Sequence, residues 1–134
     1  MKILLLNLLF IVLLCVSCGQ NTRHELIGNY HRTQGDSEIS LNLYEDSTFV
    51  HSLTRDVSKY EISDHVGEAT LQLNGKWDVS NDSLQLITLH MSDFGKGIEM
   101  NDTMYYKIIQ FKDDILVIKS LSNNDIDEYR RENN

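Results

Sequence analysis

The chain has 134 residues, with 20 acidic and 12 basic side chains, a formal charge of −8 at pH 7, no proline and two cysteines. That length suits one domain, burying roughly two thirds of its unfolded surface, and the acidity without any basic stripe excludes nucleic acid as a partner. Both cysteines, Cys15 and Cys18, lie at the very start, so the rest of the chain has no internal disulfide and depends on its core.

The first element is an N-terminal leader. Lys2 gives it a positive start, positions 3–14 are apolar apart from Asn7, and Ser17 places a small residue before Cys18. The apolar run has the length of a secretory core and falls short of a comfortable bilayer span. The run Leu14-Cys15-Val16-Ser17-Cys18-Gly19 resembles the lipobox of bacterial lipoproteins, with Cys15 where that family usually has leucine. The resemblance implies a signal peptide at 1–17, removed so that Cys18 becomes the first residue, and a diacylglyceryl group on its thiol. Acylation also accounts for a lone thiol in an exported protein. Plain secretion with cleavage near Ser17 or Gly19 is the alternative.

Residues 18–25 then form the lipidated cysteine and a short polar linker, able to reach roughly 20 Å when extended. The acyl chains, not the acidic surface, would hold the protein on its membrane. Cell-surface lipoproteins of the Bacteroidetes type often carry an acidic run after the cysteine. Positions 19–24 have no acid, which by that resemblance implies a protein facing the periplasm.

From 26 to 134 the hydrophobic period is two. Ile39, Leu41 and Leu43 alternate with polar neighbours, as do Phe49, His51 and Leu53. Leu71, Leu73, Gly75, Trp77 and Val79 do so against a wholly polar opposite face. This is the pattern of half-buried strands, and the absence of proline suits long ones. Strands are predicted at 27–33, 38–44, 48–54, 68–79, 83–91, 103–111, 115–121 and 126–131, the last with a short helix as alternative. Three connections, 45–47, 80–82 and 112–114, are tight and rich in Asp, Asn and Ser, whose side chains bond the local backbone.

Eight strands with sequential connections predict an all-β fold, an antiparallel meander closing into a barrel or nearly so, with a β-sandwich as alternative. Gly28-Asn29-Tyr30, Asp46-Ser47-Thr48-Phe49 and Gly75-Lys76-Trp77 resemble marks of the small lipocalin-like domains found among bacterial lipoproteins. The resemblance implies that barrel; it does not carry a function.

In a meander, connections alternate between the two ends. The three tight acidic turns share the end where the chain enters, and the two longest connections, 55–67 and 92–102, share the other. Long loops in compact domains are often binding elements. Tyr60, His65, Phe94 and Met100 are the expected rim, since aromatics, Met and His give adaptable contact area. Trp77 is expected in the core.

No nucleophile elbow, Walker loop or zincin pair occurs, and no cysteine follows Cys18, so neither enzymatic chemistry nor a cofactor is expected. The histidines lack metal-ligand spacing; His51 with His90 is the one cross-strand pair to weigh. Asp46-Ser47-Thr48, Asp82-Ser83-Leu84 and Asp102-Thr103-Met104 resemble O-glycosylation acceptors of exported Bacteroidetes-type proteins, and are read as turn-to-strand junctions. The expected role is a membrane-anchored, non-enzymatic module binding a small amphipathic ligand or an envelope partner. The alternative is a structural lipoprotein whose filled barrel docks by an outer face. Strands five to seven support it, since they look apolar on both sides, with Ile108 on one face and Ile109 and Phe111 on the other.

Overall fold

The computed structural model describes residues 23–58, 67–93 and 96–133. Its eight strands are β1 (Gly28–Gln34), β2 (Ser37–Leu43), β3 (Thr48–Asp56), β4 (Glu68–Ser80), β5 (Ser83–Asp93), β6 (Lys96–Lys112), β7 (Ile115–Ser120) and β8 (Ile126–Arg131). Each pairs antiparallel with the next, and β8 pairs with β1, closing the barrel. This is the lipocalin-like barrel that the sequential connections and the resemblance implied, not the β-sandwich that the period of two also allowed, and it leaves no edge strand. Among the described residues, the strands and the buried core lie between 26 and 131.

The period-two faces are realised as read. Tyr30, Ile39, Leu41, Leu43, Phe49, Trp77, Leu84, Leu86, Leu116, Ile118 and Tyr129 form one buried cluster inside the barrel. Three described hairpins turn on two residues, and in two of them, Asn81-Asp82 and Asp113-Asp114, both residues have positive φ, between 47° and 62°. Asn and Asp tolerate that region, and such paired positive angles match the twist of the flanking strands. At the β2–β3 turn, Asp46 Oδ1 accepts from the Thr48 amide at 3.0 Å and its hydroxyl at 2.6 Å, the local bonding expected of that junction.

Gly75 lies where the β4–β5 register shifts. A Cβ there would sit 1.9 Å from the Ile87 carbonyl oxygen and 2.9 Å from Phe49. The glycine gap in the apolar face of β4 is therefore a site of close backbone approach.

Two expectations are corrected. The connection expected at 92–102 is not a long loop: β5 runs on to Asp93 and β6 starts at Lys96, with Met91 opposite Ile98 and Asp93 opposite Lys96. Its glycines and polar residues look like loop composition, but pairing with β5 satisfies their backbone groups. Nor do Ile109 and Phe111 share a face. The β6–β7 register shifts between Ile108 and Gln110, which leaves Ile109 exposed and returns Phe111 to the core beside Ile108.

The ends of the barrel differ. Residues 23–26 form a helical turn that closes the end carrying the tight turns. Leu26 is wholly buried in the core. Arg23 lies over the Trp77 ring at 5.3 Å, bonds the Ser47 hydroxyl and approaches Asp78 at 3.9 Å. Arg131 stacks on Tyr30 and Phe111 at 5.2 and 4.9 Å and bonds the Glu25 carbonyl. Trp77, 2% exposed, donates from Nε1 to the Tyr44 carbonyl at 2.9 Å. It is core, as expected.

Candidate functional site

At the opposite end polar side chains join the inward positions of β1, β3 and β8. Along β1, Tyr30 is followed on the same face by Arg32; along β3, Phe49 by His51; along β8, Tyr129 is preceded by Asp127. The alternation of each strand forces these polar side chains inward just above the core. They meet there. Arg32 Nη2 lies 2.9 Å from Asp127 Oδ1, and its guanidinium lies over the Tyr129 ring at 5.3 Å. The Tyr129 hydroxyl is 3.4 Å from His51 Nε2.

The ionisation of this cluster follows from its depth. Burial, with the Arg32 charge nearby, holds the His51 imidazole below its ordinary value of 6.5, so it is neutral at pH 7. Burial pushes the Tyr129 hydroxyl up to about 12 and raises that of Tyr106. At neutral pH the charges here are those of the Arg32–Asp127 pair.

The seam beside that pair is the shortest ladder in the barrel. β1 and β8 share two registered pairs, Tyr30 with Arg131 and His31 with Arg130, whereas β7 and β8 share five. Both β1 and β8 extend past the seam towards the open end, and β7 ends at Ser120 while β6 continues beside β5. A cleft of about 790 Å³ opens there. Arg32, Gln34, Asp102, Asp125, Asp127 and Ser120 give it polar walls, and Met104, Tyr106, Leu121 and Ile126 give it apolar ones. Leu121 and Ile126 are 57% and 64% exposed. Further round the mouth, Leu53 faces Leu71 and Leu73 faces Met91 across the strand pairs, on the inward side. An eight-stranded barrel is just wide enough to be filled or to hold one small ligand; among the described residues this one is filled at one end and open at the other.

Of the expected rim, Tyr60, His65 and Phe94 lie outside the described residues, as does Cys18. Met100 stands half-buried on β6, not in a loop, and is not one of the cleft residues. His51 points inward and His90 lies exposed opposite Asn74 on the outer face, so the two cannot share a metal. The cleft residues that sequence reasoning missed are Arg32, Asp127 and Tyr106. For Arg32 and Asp127 the signal was present: a charged residue on the apolar parity of a strand, two positions from a buried aromatic, Tyr30 and Tyr129.

The fold and cleft together define a closed, lipocalin-like meander barrel with one open, amphipathic end. No protein family, curated protein or solved structure matches the chain.

Proposed function

We propose that this chain is a lipid-anchored, non-enzymatic binding module of the bacterial envelope, facing the periplasm, whose barrel takes a small amphipathic ligand at its open end. One observation carries the reading: the interior is packed up to the Arg32–Asp127 pair and open beyond it, in a cleft of about 790 Å³ with polar and apolar walls. Ligand pockets have this size, and here Met104, Tyr106, Leu121 and Ile126 set apolar contacts among predominantly polar walls, which suits an amphipathic molecule. The anchor rests on the lipobox resemblance at Cys18.

Native mass spectrometry of residues 19–134, incubated with a mixed lipid extract, tests the binding. One small molecule held per barrel is expected; a barrel that takes up none overturns it. For the anchor, Cys18→Ala should abolish lipid labelling and leave an unprocessed precursor; a variant processed like the parent would show that Cys18 is not the modified residue. The rival, docking on an envelope protein, has in its favour the outward, half-exposed Tyr105 and Ile109 of β6. Ligand-free barrels joined in a defined complex would favour it.

A further inference from the structure

From the charge of the cleft we infer that its ligand is a cationic amphiphile, an aliphatic or aromatic body carrying a protonated amine; this rests on the binding role proposed above. Among the described residues, the cleft walls hold three carboxylates, Asp102, Asp125 and Asp127, and one cation, Arg32. Arg32 is already engaged, by Asp127 at 2.9 Å and by the face of Tyr129. An anionic head would find Nη2 of that guanidinium held by Asp127, its unpartnered Nε buried away from the surface, and two further carboxylates beside it.

A protonated amine meets the opposite situation. Asp102 uses Oδ1 to accept from the Thr103 amide at 2.9 Å, and Asp125 uses Oδ2 to accept from Asn123 at 2.6 Å. A carboxylate has about four acceptor sites, so each keeps capacity for an ammonium donor. Tyr106, inward on β6 and lining the cleft, adds an aromatic ring of the kind that attracts a cation. Met104, Leu121 and Ile126 supply the apolar contact for the body of the ligand. The net charge of the chain, −8, biases the approach of ligands in the same direction.

The test uses three probes with one tail: dodecylamine, dodecanol and dodecanoate, each below its micellar concentration, titrated calorimetrically into residues 19–134. Dodecylamine should bind one to one, about tenfold more tightly than dodecanol, the worth of two half-exposed ion pairs, and dodecanoate more weakly still. Asp102→Asn with Asp125→Asn keeps the acceptors for Thr103 and Asn123, so the fold should persist. That double variant should bring the amine down to the alcohol and leave the alcohol unchanged, and added salt should do the same to the parent. Equal binding of all three probes, or an amine preference that survives the double variant, overturns the cationic ligand while leaving the binding role standing. No saturable binding of any probe overturns the binding role itself.

Discussion

At the level of single residues, Trp77 and His51 do different work. Trp77 is held on three sides: by the core, by its indole bond to the Tyr44 carbonyl and by the Arg23 guanidinium above it. Trp77→Ala should therefore cost about 3–5 kcal/mol, as large aromatic deletions do, measured by urea denaturation of residues 19–134. A loss below about 1 kcal/mol, the scale of a surface change, would contradict its place in the core. His51 makes the stability of the barrel depend on pH. Its folded pKa lies below 6.5, so between the two values the unfolded chain binds more protons than the folded one. Stability contributed by neutral His51 is then fully present above 6.5 and is lost as pH falls through 6.5 towards the folded value. Urea midpoints at pH 7.5 and 5.0 should differ more for the parent than for His51→Gln. An equal difference in both would remove His51 as the source.

Among elements, the helical turn at 23–26 matters most, because it converts an open barrel end into a closed one. It is fastened through Tyr30, whose hydroxyl donates to the Leu26 carbonyl at 2.8 Å and accepts from Arg131 Nη2 at 2.7 Å. Tyr30→Phe strips both bonds from a buried site and should cost about 1–3 kcal/mol. Hydrogen exchange should show the 23–26 amides losing protection before those of β2 and β3. Uniform loss across all strands would mean that the turn is not a separate unit. The β1–β8 seam is the other decisive element. Its two registered pairs close the barrel low down and leave the upper wall to the Arg32–Asp127 side chains, which is why the cleft lies there.

For the whole molecule, eight strands in meander order put the chain entry, the turns at 44–47, 81–82 and 113–114, and the 23–26 turn at one end. The cleft lies at the other, with Ser122 and Asn123 on its border. With a lipid on Cys18 and a linker of a few residues, the closed end would face the bilayer and the cleft would face away from it. Spin labels at Asp82 and Asp113 on liposome-bound protein should be broadened by lipid-borne relaxers more than labels at Gly97 and Asn123. The reverse order would mean that the open end meets the membrane, and with it that ligand is drawn from the bilayer beneath the barrel.

The local pattern determined much of this. Alternation in β2, β3 and β4 fixes which side chains go inward, because successive residues of a strand point to opposite faces whatever their partners. Asp and Asn in the tight turns fix the hairpins through local backbone bonding. What needed the tertiary structure was everything set by pairing between strands. The 96–102 segment becomes strand only because β5 is there to receive its hydrogen bonds, and the register shifts that move Phe111 inward and bring the Ile87 carbonyl against Gly75 are offsets between two strands, invisible in either one. The cleft is of the same kind. Arg32, Asp102, Asp125 and Asp127 come from three separate parts of the chain, and only closure of β8 onto β1, with its short seam, brings them to one mouth.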